Sequence, residues 1–312
     1  MSIQLTKNNN TVQLNSGAVI PQIGLGTWRS TGEKDGYNAV LAALKAGYRH
    51  IDTAAIYLNE DQVGKAIRDS GIPREEIFVT TKLWGTQHQE PEKALNESLE
   101  RLGLDYVDLY LMHWPVCLGQ NSIKDGNLLC IPQLPNGKRD VIIDSWNFSK
   151  TWELMQLLPK DKARNIGVSN FSINNLKELM ASPNFKVVPA VNQIELHPRL
   201  PQTELIQWCK EKNIQIEAYS PLGSMDAPIL SEPLILDIAK KLNVTPAQVV
   251  ISWHVQRGYI VLPKSIHADR IESNLQTFVL PEDDFNKISN LSKEKGELRV
   301  CNIDWSPFVC FV

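Results

Sequence analysis

Short apolar runs alternate with amphipathic helical stretches about eight times along this chain, and no other feature of the sequence limits its fold so tightly. The runs are 23–28, 48–51, 77–82, 107–113, 165–168, 190–194, 214–219 and 259–262. Helical periodicity marks 36–46, where Tyr37, Val40, Leu41 and Leu44 share a face, and then 60–69, 90–102, 146–158, 174–180 and 203–212. Two helices precede the last run. The second is marked by Thr245 as N-cap, Pro246 at the first helical position and Gln248 as capping-box partner. Strands joined through helices must run parallel, because a parallel pair needs a crossover long enough to hold a helix.

An open doubly wound sheet and a closed barrel both satisfy that order. The open sheet calls for G-x-G-x-x-G after the first strand. Here Gly24-Leu25-Gly26 is followed by Thr27, Trp28 and Arg29, so the third glycine is missing and the pair reads as a close backbone approach. Eight units in 312 residues favour a single (β/α)8 barrel spanning 1–312. Residues 11–20 read as an N-terminal β-hairpin turning at Asn15-Ser16-Gly17, and residues 292–312 as an irregular C-terminal tail. Further helices are expected near Ala268 and Glu282. Asn59 with Gln62 has the spacing of a capping box. A loop from about 115 to 144 has little periodicity, and loops of that length in compact domains tend to be functional.

Composition excludes several classes. A net charge of −3 gives no basis for nucleic acid or an anionic membrane as partner. No run approaches the length of a membrane span. The opening residues lack the apolar core of a secretory signal, and the five widely spaced cysteines form no C-x-x-C. These readings point to reduced thiols and a cytoplasmic chain without metal.

A barrel gathers its strand C-termini on one face. Asp52, Lys82 and His113 close three successive strands, and Tyr57 lies in the loop after Asp52. A phenol titrates near 10 and is a poor proton donor or acceptor at neutral pH unless perturbed. An ammonium at Lys82 would lower that value, Asp52 would hold the ammonium in place, and His113 could bond the same substrate oxygen. Such a set delivers a proton to a carbonyl oxygen while something else attacks the carbon. The chain offers no activated nucleophile, so a hydride cofactor is expected.

These residues sit in segments that closely resemble the aldo-keto reductases: G-L-G-T-W at 24–28, G-Y-R-H-I-D-T-A-A-I-Y at 47–57, T-K-L-W at 81–84 and D-L-Y-L-M-H-W-P at 108–115. Others are I-G-V-S-N-F at 166–171, N-Q-I-E at 192–195, A-Y-S-P-L-G at 218–223 and P-K-S at 263–265, so the resemblance runs along nearly the whole chain. The nearest likeness is to yeast reductases of the NADP-dependent glycerol dehydrogenase and broad carbonyl reductase type. The resemblance implies NADPH and a catalytic tetrad of Asp52, Tyr57, Lys82 and His113. Tyr57 would be the general acid for reduction and the base for the reverse reaction. By the same resemblance Ser169, Asn170 and Gln193 hold the nicotinamide carboxamide, and Tyr219 stacks on the ring. Thr27, Trp28 and Asp52 line the ribose. Ser220, Leu222 and Ser224 follow the pyrophosphate. Lys264, Ser265, Ile266, Arg270 and Asn274 surround the adenosine 2′-phosphate. A guanidinium and an ammonium suit a phosphate on physical grounds as well. Asp226 would pair with Lys264 to close a belt over the cofactor. Ser273 stands where many relatives carry a glutamate, and His267 where a small polar residue is usual.

Trp28, Trp84, His113, Trp114 and Trp305 are expected to wall the substrate pocket, with the 116–144 loop and the tail near Asn302 and Asp304 completing it. The expected substrates are small to medium aldehydes, α-keto esters or diketones, with polyol oxidation as the reverse. Two other classes remain open. One is a cofactor-binding regulatory or structural protein with little turnover, and the other a non-redox lyase or isomerase. A monomer is the family expectation.

Overall fold

A closed cylinder of eight parallel strands forms the centre of the molecule, in a computed structural model that describes residues 3–30, 32–224 and 229–311. The barrel strands are β1 (Leu25–Gly26), β2 (His50–Asp52), β3 (Phe78–Leu83), β4 (Val107–Met112), β5 (Ala163–Ser169), β6 (Val191–Glu195), β7 (Gln215–Tyr219) and β8 (Ile260–Val261). Each pairs in parallel with its neighbours in chain order. Closure comes from a parallel bridge between Ile23 and Val261. It is backed by Gly24 N–H to Val261 O at 3.0 Å, Val261 N–H to Gln22 O at 2.8 Å and Gly26 N–H to Pro263 O at 3.1 Å. The open-sheet alternative is thereby excluded.

Every residue of β3 and of β4 is buried, as expected for strands covered by helices outside and side chains within. The helices are α1 (Asp35–Ala46), α2 (Glu60–Asp69), α3 (Pro91–Leu102), α4 (Phe148–Met155), α5 (Ile173–Met180), α6 (Thr203–Glu211), α7 (Pro233–Leu242), α8 (Pro246–Gln256), α9 (Ala268–Asn274), α10 (Glu282–Ser289) and α11 (Leu291–Lys295). Gly64 brings α2 against α3: a Cβ there would lie 1.7 Å from Leu102 O. The hairpin pairs Thr11–Gln13 with Val19–Pro21. Its Leu14 and Ile20 plug the N-terminal end of the barrel against Phe78, Leu109, Leu111 and Val191.

Several expectations need correction. Asn59 and Gln62 form no capping box. The buried Asn59 amide instead donates to Thr27 O at 3.0 Å and Ser30 O at 3.3 Å and accepts from Thr53 Oγ1 at 3.2 Å, stitching the loops after β1 and β2 together. Gln62 Oε1 accepts from Gly36 N–H at 3.0 Å and Tyr37 N–H at 3.3 Å, so it caps α1. The helix expected over 146–158 is confined to Phe148–Met155, with Asn147 as its cap. The 116–144 loop carries a small antiparallel ladder, Cys117–Leu118 with Val141–Ile142, and the tail keeps helical form to Lys295. The box at Thr245 and Gln248 is formed as expected.

The five cysteines are free. Beyond α11 the tail folds back over the strand C-termini. Leu298 N–H donates to Arg199 O at 2.8 Å, and Val300 and Cys301 N–H donate to the Glu195 carboxylate at 2.8 and 2.7 Å.

Candidate active site

Asp52 ends β2, and Lys82 lies on the inward face of β3, both fully buried. The strand ladder sets Asp52 opposite Thr80, one inward step below Lys82. Lys82 Nζ donates to Asp52 Oδ2 at 2.7 Å, to Thr53 O at 2.8 Å and to Tyr57 Oη at 3.3 Å. Its three protons are thus directed at a carboxylate, a carbonyl and a phenol. Tyr57 occupies a single helical turn, Ala55–Tyr57, and is half-buried, so its hydroxyl meets both the ammonium and the open mouth. His113 stands edge-on to Tyr57 with ring centres 5.6 Å apart. Its Nδ1 is buried without a partner, and no hydrogen bond among the described residues uses Nε2.

The electrostatics differ from the expectation in one respect. Burial raises the Tyr57 pKa, and this outweighs the pull of Lys82, so the phenol is pushed up to about 12 rather than lowered. Tyr57 is therefore protonated throughout the neutral range. Burial opposes the charge on Lys82, but Asp52 and Tyr57 more than offset it, and its pKa lies above the ordinary value. Burial, with Lys82 nearby, holds His113 well below the usual imidazole range, so its ring is neutral.

Around this group the strand ends present amides. Gln193 Nε2 donates to Asp52 Oδ1 at 2.8 Å. Asn170, in left-handed backbone just past β5, donates through Nδ2 to His113 O at 2.9 Å and to Ser169 Oγ at 3.2 Å. Its Oδ1 accepts from Tyr219 Oη at 2.7 Å, so the Asn170 amide is engaged within the protein and orients Tyr219. Ser169 Oγ donates to Gln193 O at 2.8 Å, and Thr27 Oγ1 to Asp52 O at 2.9 Å.

The mouth continues into two further groups. Ser220, Leu222 and Ser224 line the loop after β7, all half-buried. Lys264, Ser265 and Ile266 follow β8, and Arg270 and Asn274 lie on α9. Asn274 Oδ1 is buried with no partner. Neither Lys264 nor Arg270 has an acid within salt-bridge distance among the described residues. Burial lowers the Lys264 pKa, with Asp35 acting against it and Arg29 with it. Asp226 lies outside the described residues.

On the other side Trp84, Trp114 and Trp305 pack as one cluster with Val116, Leu118 and Cys310. Trp305 has its ring centre 6.2 Å from Trp84 and 5.5 Å from Trp114, and Trp84 is 5.5 Å from His113. Trp28 stands apart, 44% exposed, beneath the Arg29 guanidinium. The long loop joins this wall where Cys130 O accepts from Trp84 Nε1 at 2.6 Å, and Arg139 reaches both the Trp305 ring and Asp304 O.

Three residues important to the arrangement were not singled out from the sequence: Glu195, Glu217 and His50. Glu195 anchors the tail. Glu217 and His50 are buried inside the barrel behind Asp52. Inward alternation along β2 and β7 places both, and a charged side chain on an inward position is the signal that would have found them.

The chain matches the Aldo/keto reductase family over residues 22–227 and 229–293. It is 64% identical over 312 residues to glycerol 2-dehydrogenase (NADP(+)) of Saccharomyces cerevisiae and 62% identical to aldehyde reductase YPR1 of the same yeast, with 100% of each chain covered in both cases. A solved aldose reductase from Schistosoma japonicum superposes with a TM-score of 0.83 at 34% identity, covering 93% of this chain and 94% of that one.

Proposed function

Because the chain belongs to the aldo/keto reductase family, we propose that it reduces aldehydes and ketones to alcohols with NADPH, Tyr57 acting as general acid. The observation that carries this reading is the Lys82 ammonium, set between the Asp52 carboxylate and the Tyr57 hydroxyl at 2.7 and 3.3 Å.

The residues present fit the cofactor. Asn274 Oδ1 is an unused buried acceptor, suited to an amine or hydroxyl donor of the adenosine end. Lys264 and Arg270 supply cations of the kind a 2′-phosphate needs, and Ser265 and Ile266 complete that end. Ser169, Asn170 and Gln193 would hold the carboxamide, Asn170 by exchanging bonds it now makes within the protein, and Tyr219, oriented by Asn170, would supply a flat face for the ring. When bound, NADPH supplies the hydride that the carbonyl carbon accepts.

The chain's own residues do the rest. His113, neutral with its hydrogen on Nε2, would donate it to the carbonyl oxygen and orient that oxygen toward Tyr57. Tyr57, kept protonated by burial, gives up its proton as negative charge builds on that oxygen. The phenolate left behind lies against Lys82, whose charge is held by Asp52 and Thr53 O. The reverse reaction needs Tyr57 as phenolate, so alcohol oxidation rises with pH. Trp84, Trp114 and Trp305 form an apolar wall suited to small and medium carbonyls, including α-keto esters and diketones. In this reading residues 1–312 act as one cytoplasmic, monomeric unit. No helix among the described residues is long and apolar enough to cross a membrane.

The test is NADPH oxidation with a panel of aldehydes and diketones, run beside Tyr57→Phe. Removing the general acid should cost about 10²–10⁴-fold in turnover while the NADPH Kd holds. NADPH binding without turnover in the wild type would mark a regulatory protein instead, and no binding at all a lyase or isomerase.

A further inference from the structure

Behind the site lies a second buried acid that the mechanism above does not use. Glu217 sits on the inward face of β7, one step below Tyr219, and is fully buried. Its Oε2 is 2.8 Å from Gln193 Nε2, the same nitrogen that reaches Asp52 Oδ1 at 2.8 Å. Two carboxyl groups on one amide nitrogen fix that end of Gln193 as its NH₂, which leaves its Oε1 for the cofactor site. Glu217 Oε1 lies 3.3 Å from His50 Nε2.

Charge balance then demands a proton. The groups facing Glu217 are His50 and Asp52 from β2, Lys82 from β3 and Gln193 from β6. Two carboxyls share one ammonium in a dry interior, where an unpaired ion is strongly disfavoured. His50 Nδ1 lies 3.3 Å from Pro21 O, which can only accept, so Nδ1 carries the hydrogen. In a neutral ring Nε2 is then a bare lone pair. Neither it nor Glu217 Oε1, 3.3 Å away, has a hydrogen-bond partner, so a charged oxygen facing that lone pair would be strongly disfavoured and a proton on the acid relieves it. Gly24 belongs to the same arrangement: a Cβ there would meet His50 Nδ1 at 2.5 Å, so glycine lets the ring lie in this place.

We propose that Glu217 is a positioning residue of the carbonyl-reduction site, a neutral acid beside the bare His50 nitrogen that holds Gln193 against Asp52 and leaves Asp52 the only anion on Lys82. The proposal rests on the function proposed above. Burial raises both acids, Glu217 up to about 8 and Asp52 above its ordinary value, and lowers His50 to about 3; only Asp52 is bonded to the Lys82 ammonium, at 2.7 Å, so the geometry assigns the shared proton to Glu217. When Glu217 ionises, a second anion enters the field of Lys82, and the phenolate of Tyr57 becomes harder to form.

The experiment is the pH profile of kcat for NADPH-dependent reduction from pH 6 to 10 in wild type, Glu217→Gln and Glu217→Leu, with infrared spectra of each without cofactor. Wild-type kcat should fall about tenfold on passing pH 8, while Glu217→Gln, a permanently neutral isostere, stays within about threefold across the range. Glu217→Leu, which leaves Gln193 without its second partner, should weaken NADPH binding about tenfold, and Glu217→Gln should restore it. A protonated-carboxyl band should be present in the wild type at pH 7, lost by pH 10 and absent from Glu217→Gln. If the variants do not fold, the wild-type band alone decides. A wild type that turns over with the same alkaline limb as Glu217→Gln, or that lacks a titrating acid band, overturns the proposal. A wild type with no turnover but with that band would sink the proposed function and leave the buried acid standing.

Discussion

Tyr57 is held between two opposed influences, burial that favours the phenol and an ammonium that favours the phenolate. The sequence shows the ammonium but not the burial, because strand order puts Lys82 beside the tyrosine whereas depth depends on the walls that the tail and loop supply. The convergence of Asp52, Lys82 and His113 was legible for the same topological reason. The use made of Asn59 was not: an asparagine before a helix has several partners within reach, and the loop after β1 outcompetes its own helix end. At the cofactor end, Arg270 lacks an acid partner among the described residues. Arg270→Ala should raise the Kd for NADPH by about tenfold or more and for NADH little, read by fluorescence titration. Equal losses for both nucleotides would refute its assignment to the 2′-phosphate.

At the scale of elements, one carboxylate takes two successive backbone N–H groups of the tail. Glu195 accepts from Val300 N–H, Cys301 N–H and His197 Nε2, and these bonds hold its pKa below the usual range although burial works the other way. Glu195→Gln replaces one acceptor oxygen with a donor, so one backbone N–H of the tail loses its partner at a cost of about 1–3 kcal/mol. Amide hydrogen exchange should then quicken in the 298–311 segment while β3 and β4 keep their protection. Uniform acceleration through the barrel would mean that Glu195 supports the strands rather than the tail. None of this was readable beforehand, since the tail has no periodicity and its partner lies 105 and 106 residues earlier. The small ladder in the 116–144 loop escaped for a related reason: two-residue strands carry no alternation to detect.

For the molecule as a whole, buried histidines set the acid limit. Burial lowers His50 and His88 to about 3 and His113 and His254 well below the ordinary 6.5. A base whose folded pKa is depressed stabilises fully above 6.5. As pH falls from 6.5 toward 3 the unfolded chain takes up protons that the folded chain refuses, at about 1.4 kcal/mol per pH unit for each histidine. Glu217 has the opposite sign: its contribution is complete below 4.5 and declines as pH rises to about 8. Below 6.5 the histidines outweigh it, so calorimetry should find Tm falling between pH 7 and 5, and a flat or rising Tm would contradict these burials.

The cylinder closes between Ile23 and Val261, near the two ends of the chain. During synthesis, the strands bearing Asp52, Lys82 and His113 emerge long before the partner that completes the ring, and the nascent sheet waits with both margins unpaired. In the finished ring the two strands that meet at the seam, Leu25–Gly26 and Ile260–Val261, are only two residues long, a poor template for pairing with another chain. A ring that opened at this seam would therefore offer a neighbouring copy very little edge to join.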